Sequence, residues 1–434
     1  MTYQHRQSIT PRFYSTICFV CALGMTNAWA LDTTADATSK KPGFIIDSYH
    51  VLPEAQFSAY YDDNIYATES GQVDDYVGVT TGTLKIKSLW AKNSLQANAG
   101  YSHGEYLDND SENYDDAWID FNGRYEIDPK TNLYGGAGYY RKHEGRDSKE
   151  SSASGDEPTV YDFWNIQLGG RHQIGDYTVR LVGTYDEWDY EDIMQTVVEN
   201  NVQNEDQEEE EPQPAVVRVK LDNDFRNRVQ TGLALRVSRG LDKQTDLYVQ
   251  GMFNNRNYES QDLEGVNRDS YGYNVSAGVI RKFGSKDRIQ AYVGGLYQEY
   301  EDFDSVEALD FGFNLRWYPA DGYKLTGNLT RTLGEATETG VSGYLYTNLN
   351  LQLDKRIITN YVGTVTLDYG DVEYKGANGW DEDFYSVGLG VSYYMSPHMF
   401  FTTSYSHAVN ASEEDGYSYH KNLILISFKA KLAP

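Results

Sequence analysis

Most of the chain repeats one pattern, in which a segment of alternating apolar and polar residues is followed by a turn. In the segment Trp118–Ile127, Ile119 and Phe121 fall on one face while Asp120 and Asn122 fall on the other. Side chains along a β-strand alternate with period two, so each such strand has one apolar face and one wet face. A transmembrane β-barrel requires this pattern, with lipid outside and water inside. The pattern therefore predicts an all-β protein, a closed antiparallel transmembrane β-barrel.

The connections between these segments alternate between short and long. Tight turns such as Asp128–Thr131 and Asp354–Arg356 contain Gly, Pro, Asp or basic residues, whereas connections such as Asp62–Asp75, Glu191–Asp224 and Gly370–Asp383 are longer and acidic. Barrels of this class have short periplasmic turns and long extracellular loops. The alternation continues along the whole chain and predicts about eighteen strands, or sixteen if one hairpin is miscounted. Glu144–Val160 belongs to the long set.

The N-terminus resembles a secretory signal. Arg6 and Arg12 precede a short apolar run that holds both cysteines, Cys18 and Cys21, and that ends in Ala28-Trp29-Ala30. This order of basic, apolar and small residues predicts cleavage after Ala30. We therefore expect a signal peptide over residues 1–30, a short disordered periplasmic lead-in over 31–49 and the barrel over 50–434. The expected location is the outer membrane of a Gram-negative cell, in contact with its lipid.

Charge and motif content exclude several functions. The formal net charge of −28 argues against nucleic acid as a partner. The acidic run Asn204–Pro212 lacks the spacing of a calcium loop, so we interpret it as a solvated extracellular loop and predict no metal site. The chain contains no G-x-S-x-G or H-E-x-x-H motif. We therefore predict neither an enzyme nor a cofactor.

The faces opposite the apolar ones predict the side chains that line the lumen and contact a solute. They carry both charge signs and many amides, which suits weak, repeated contacts with a hydrated, hydroxyl-rich solute. The alternative is that they only brace and solvate a general pore. The predicted lining residues are Asp120, Asn122, Arg124, Glu126, Gln167, Arg171, Arg180, Arg228, Arg236, Gln250, Arg256, Asp310, Asn314 and Arg316, continued by Asn328, Asn348, Asn350 and Gln352. Arg124, Arg171, Arg180 and Arg228 are the candidates for a cationic selective band.

Several short segments resemble a known family. They are Val51–Ala55 followed by Tyr60–Tyr66, then Leu89–Asn93, Tyr101–Tyr106 and Arg316–Pro319. In these segments the chain resembles the β-barrel porin 2 proteins, although it ends in Pro434 rather than in an aromatic residue. The resemblance implies an outer-membrane pore that secretes an exopolysaccharide or capsular polysaccharide with a periplasmic polysaccharide-export protein as partner. A general or sugar-selective diffusion porin is the main alternative, and an adhesin or receptor barrel is a third.

Overall fold

The fold consists almost entirely of β-strands. The computed structural model describes residues 42–150, 155–199, 215–262 and 264–432. No helix within these ranges is long and apolar enough to cross a membrane. The strands are β1 (Phe44–Ile46), β2 (Tyr49–Asp62), β3 (Asp75–Ser88), β4 (Ser94–Tyr106), β5 (Tyr114–Asp128), β6 (Thr131–His143), β7 (Val160–Ile174), β8 (Tyr177–Tyr190), β9 (Ile193–Glu199), β10 (Ala215–Leu221), β11 (Arg228–Gly240), β12 (Thr245–Tyr258), β13 (Ser270–Phe283), β14 (Asp287–Tyr300), β15 (Val306–Trp317), β16 (Tyr323–Gly334), β17 (Val341–Ile358), β18 (Tyr361–Gly376), β19 (Asp381–Tyr394), β20 (Met399–Ser412) and β21 (Tyr419–Lys431).

Eighteen of these strands, β2–β8 and β11–β21, close into one antiparallel barrel, as the sequence predicts. Each barrel strand pairs with the next along the chain, and β8 pairs directly with β11. Strand β2 pairs with β21 from Glu54 opposite Lys431 to Asp62 opposite Leu423, which joins the first strand to the last. Closure leaves no edge strand in the ring, so the backbone groups of every barrel strand have neighbours on both sides.

The two faces of the wall differ in chemistry. Leu168 is 70% exposed and Val293 is 59% exposed, and both lie midway along their strands on the outer face. Their neighbours Gln167 and Gly294 lie on the inner face and are less exposed. An apolar outer belt with polar residues inside is what a bilayer requires of a barrel wall.

Two predicted connections are wrong in position. The turn expected at Asp354–Arg356 lies inside β17, and the actual turn follows Ile358, which pairs with Tyr361. Most of the loop expected at Gly370–Asp383 is strand, because β18 continues to Gly376 and β19 begins at Asp381. Beyond the bilayer both faces of a strand contact water, so its residues no longer alternate between apolar and polar and resemble a loop.

The N-terminal lead-in and the longest loop also contain strands. Strand β1 lies within the expected disordered lead-in and pairs with the start of β2, from Phe44 opposite Val51 to Ile46 opposite Tyr49. Strands β9 and β10 form a separate two-stranded sheet within the loop Glu191–Asp224. Val197, Val217 and Val219 give this hairpin β-branched residues that favour strands. The predicted signal peptide and residues 204–212 lie outside the described residues.

The assignment of faces predicts opposite responses from adjacent residues in β7. Leu168→Arg places a charge in lipid and should destabilise the barrel by about 2–4 kcal/mol. Gln167→Arg places the same charge in the lumen and should leave folding intact. Heat-modifiable mobility in gels and urea-induced unfolding in lipid vesicles would measure both effects. Equal destabilisation by the two variants would contradict the assignment.

Candidate functional site in the barrel lumen

The inner face of the barrel carries all of the side chains predicted to line it. The alternation of burial along each strand and the cross-strand pairing place them there. Whether they bind a solute stays a prediction. They do not form one site but separate into three zones: a group of cations near the short turns, a middle zone of amides and carboxylates, and a ring of ion pairs near the long loops.

The first zone is a belt of basic side chains near the short-turn ends of the strands. We call it the cationic belt and define it as Arg171, Arg180, Arg236, Arg288, Arg316 and Lys324. Arg180 of β8 lies directly opposite Arg171 of β7 on one side and opposite Arg236 of β11 on the other. Arg288 lies opposite Arg316, and each arginine lies within electrostatic range of the next. Lys324 extends the belt onto β16, where it lies 3.9 Å from Asp354.

Arg236 is held in a fixed orientation. Its Nε donates a hydrogen bond to Gln250 Oε1 (3.0 Å), and its guanidinium lies 4.3 Å from the centre of the Tyr248 ring. Tyr248 in turn accepts a hydrogen bond from Gln290 Nε2 (3.1 Å) and lies over Gly278, where an added Cβ would come within 2.4 Å of the ring. Gly278 therefore provides the space for Tyr248, which supports the arginine.

The middle zone consists of hydrogen-bonded amides and carboxylates. Asp120 accepts hydrogen bonds from Asn98 Nδ2 (2.9 Å) and Asn122 Nδ2 (3.1 Å). Across the barrel, Asn350 donates to Asp368, and on β15 Asp310 accepts from Asn274 Nδ2 (3.3 Å). The amides offer donors and the carboxylates offer acceptors, and the fixed charge of these residues is negative because the three carboxylates are their only charged groups.

The four arginines predicted to form a selective band do not lie together, because one of them belongs to the third zone, the ring of ion pairs near the long loops. Arg228 is at the long-loop end of β11, where it is buried and lies 3.4 Å from Glu150. Arg256 forms a buried ion pair with Glu335. Arg124 lies at the short-turn rim, where it donates to the Lys92 carbonyl (3.1 Å). Of the four predicted band residues, only Arg171 and Arg180 belong to the cationic belt. Alternation assigns a residue to a face, but it does not give the partner that a long side chain reaches.

A segment of the β6–β7 connection crosses the mouth of the barrel. We call residues 144–150 the mouth loop. Glu144 pairs with Arg226 (2.6 Å), and Glu150 lies near Arg228. Lys149 pairs with Glu382 of β19 and donates to Asn410 of β20 (2.8 Å).

The partners of the mouth loop lie on opposite sides of the ring. The Lys149–Glu382 pair is almost completely enclosed, with side-chain exposures of 9% and 0%. The Glu150 carbonyl accepts a hydrogen bond from Thr337 (3.0 Å), which follows β16. Arg146 pairs with Glu112 (2.6 Å), which precedes β5. A segment anchored to so many strands narrows the extracellular mouth.

A cavity of about 340 Å³ lies beneath the mouth loop. The loop forms its roof with Glu144, Arg146 and Lys149, and strands β16 to β21 together with β2, β4 and β5 form its wall. This volume falls within the range of small-molecule sites. The wall combines tyrosines with amides, hydroxyls and charged groups, from Tyr60, Tyr106, Tyr114, Tyr346, Tyr419, Asn328, Asn348, Asn350, Ser386, Ser404, Ser406, Asp62, Glu112, Asp368 and Lys421.

Sequence reasoning did not include several of these residues. Arg288 and Lys324 occupy inner positions of predicted strands, and a check of every inner position near the short turns could have found them. The mouth loop offers no comparable signal, because its charged residues have the same composition as a solvated loop. Its position depends on ion pairs with residues far along the chain, such as Glu382.

Ion pairs and hydrogen bonds with aspartates at its base stabilise the extracellular hairpin β9–β10. Lys220 pairs with Asp192 and, by this hydrogen bond, lowers the pKa of that carboxyl group. Hydrogen bonds from Thr196 likewise lower the pKa of Asp156. Asp192, Asp222 and Asp224 could together reach one cation. Because Lys220 already neutralises Asp192, we interpret the group as part of the hairpin's base.

The closed wall with its lipid-facing belt and wet, charged lumen defines a transmembrane β-barrel of the channel-forming class. A family model described as "Putative beta-barrel porin 2" matches residues 40–432. The chain belongs to this family of outer-membrane porins, as the short segments in its sequence suggest. No curated protein matches the sequence significantly.

Solved structures match the chain at low sequence identity. The chain is similar to OpdK of Pseudomonas aeruginosa, solved with vanillate, at 9% identity and a TM-score of 0.45, covering 88% of this chain and 98% of that one. It is also similar to the siderophore receptor PirA of Acinetobacter baumannii, at 8% identity and a TM-score of 0.43, covering 91% and 81%.

If the mouth loop narrows the pore, removal of the Lys149–Glu382 ion pair that anchors it should change the conductance. Lys149→Met leaves the enclosed Glu382 without its cation, and breaking such a pair costs up to about 3–5 kcal/mol. The loop should then leave the mouth, and single-channel conductance in planar bilayers should rise. As a matched control, Lys149→Met combined with Glu382→Gln removes both charges and should remain closer to the original conductance. Unchanged conductance in the single variant would show that the loop does not limit the pore.

Proposed function

We propose that this porin-family barrel is the outer-membrane channel through which an exopolysaccharide or capsular polysaccharide is secreted. The observation that carries the proposal is the wall of the cavity beneath the mouth loop, where tyrosines lie among amides, hydroxyls and charged groups. Sugars present hydroxyl groups around an apolar ring face, so they require both kinds of partner. Tyr60 and Tyr346 offer flat apolar surface, and Asn348 and Ser404 offer donors and acceptors.

The composition of the lumen favours movement over tight capture. Many of its polar groups already hydrogen-bond one another, as Asn350 does with Asp368. A hydroxyl group must therefore compete for each contact, which makes the single contacts weak. A series of weak sites lets a long chain advance without being trapped, which is the condition for conduction.

The two ends of the barrel fit different tasks in secretion. The mouth loop narrows the extracellular end, which would limit free diffusion when no polymer is present. The short-turn end is formed by brief connections such as that between Ile174 and Tyr177. A periplasmic polysaccharide-export protein could therefore approach this rim closely. The diffusion-porin alternative predicts a mouth that stays open to small solutes.

Deletion of the gene tests the proposal directly. Polymer should no longer reach the cell surface and should accumulate in the periplasm, while growth on small carbon sources stays unchanged. Surface polymer can be measured by extraction and sugar analysis, and complementation with the intact gene is the control. Normal surface polymer together with slower uptake of small solutes would instead favour the diffusion porin.

A further inference from the structure

In the cationic belt, arginines lie directly opposite other arginines on neighbouring strands, an arrangement that does not favour strand pairing. Arg180 has an arginine directly opposite it on each side, Arg171 and Arg236, and Arg288 faces Arg316 in the same way. Like charges directly opposite one another in antiparallel strands destabilise the sheet. Both sets of facing arginines lie at the short-turn end of the described barrel. A ligand of opposite charge would compensate for the repulsion.

Two arginines of the belt, the buried Arg236 and the partly exposed Arg288, are held in place in advance of any ligand. The Tyr248 ring and Gln250 hold Arg236, and Gln290 accepts a hydrogen bond from Arg288 Nη2 (3.0 Å). A guanidinium group presents its donors in a planar fork that matches carboxylate, phosphate and sulfate oxygens. Groups that are already positioned lose less entropy on binding.

The same end of the barrel is basic on its other wall. Lys85 lies 2.6 Å and Lys429 3.4 Å from Glu54, so this single carboxylate faces two ammonium groups, and Lys431 lies opposite Glu54 in the β2–β21 register. On the belt side, the carboxylates within electrostatic range are Asp246, near Arg180 and Arg288, and Asp354, near Lys324. The short-turn end of the lumen is therefore positive in a chain whose formal net charge is −28.

We infer that the cationic belt is a binding site for the anionic groups of an acidic saccharide, namely carboxylate, phosphate or sulfate substituents, at the periplasmic end of the lumen. This inference rests on the proposed secretion function for the direction and the polymer, whereas the anion site itself depends only on the belt. An acidic chain that enters from the periplasm meets the belt first. A neutral glucan would gain nothing from these charges.

Binding to the purified full-length protein in a neutral detergent tests the site. Oligogalacturonate, a carboxylate-bearing oligosaccharide, serves as the probe, and a dextran oligomer of similar length serves as the neutral comparison. Isothermal titration calorimetry should show binding of oligogalacturonate that weakens as salt is raised, and no comparable binding of dextran. The variant Arg180→Gln/Arg236→Gln/Arg288→Gln should bind oligogalacturonate roughly tenfold or more weakly.

A control on the outer wall separates the belt from general charge. Arg239 and Arg281 lie near the same rim but point away from the lumen, by the alternation of β11 and β13. Arg239→Gln/Arg281→Gln should leave oligogalacturonate binding unchanged. Arg180→Lys/Arg236→Lys/Arg288→Lys keeps the charges but loses the planar fork, so it should bind oligogalacturonate more weakly than the intact protein and still in a salt-dependent way. If the glutamine variant fails to fold, unchanged affinity in the lysine variant would overturn the site.

The outcomes distinguish this inference from the proposed function. Undiminished binding in the folded glutamine variant, an equal loss in the outer-wall control, or equal affinity for dextran would overturn the anion site. Loss of binding in the belt variant alone would support the site. If the site is supported but the deletion strain still exports its polymer, the belt serves another acidic saccharide and only the secretion function is wrong.

Discussion

Closure of the sheet between β2 and β21 is the constraint on which the rest of the structure depends. In lipid no water is available to satisfy backbone groups, so an open edge would leave a row of unpaired amides and carbonyls. The nine pairs from Glu54–Lys431 to Asp62–Leu423 remove that edge. Closure also fixes which face of every strand is inside, because a shift by one residue would expose the lumenal side chains to lipid. The positions of the belt, the middle zone and the mouth pairs all follow from this register.

The two ends of the lumen treat buried charge in opposite ways. At the mouth, Arg226, Arg228 and Arg256 each have a carboxylate partner, and two of those carboxylates, Glu144 and Glu150, belong to the mouth loop. Desolvation makes such pairs weak sources of net stability, but removal of one partner is costly. The mouth loop therefore stays in place because moving it would leave the buried arginines without their carboxylate partners. At the other end, arginines face arginines, and carboxylates such as Asp246 compensate only part of their repulsion, so an anionic ligand would add to the compensation.

The sequence allowed prediction of the barrel wall but not of the loop that crosses its mouth or of the partners of its lumenal arginines. Strand count, faces and most connections follow from local signals, namely period-two alternation and turn residues, and those signals depend only on neighbours in the chain. The turn expected at Asp354–Arg356 was wrong because polar residues inside a strand resemble a turn. Lys149 gives no signal of its partner Glu382, since the pair joins residues more than two hundred positions apart. Arg228 and Arg180 both fit the inner face, and only the structure separates an ion-paired mouth residue from a member of the belt.

Charge along the barrel axis connects the fold to the direction of transport. The periplasmic end carries the cationic belt, whereas the long loops at the mouth are rich in acidic residues, although Asp62 and Glu382 at their base are each paired with a lysine. An acidic chain is attracted at the first end and repelled at the second, so electrostatics alone would not carry it outward. Export would require a driving force at the periplasmic rim, and the acidic mouth would then favour release of the chain and oppose its return. Under the proposed function, a polymer that leaves the barrel would have to displace the mouth loop against the ion pairs that hold it.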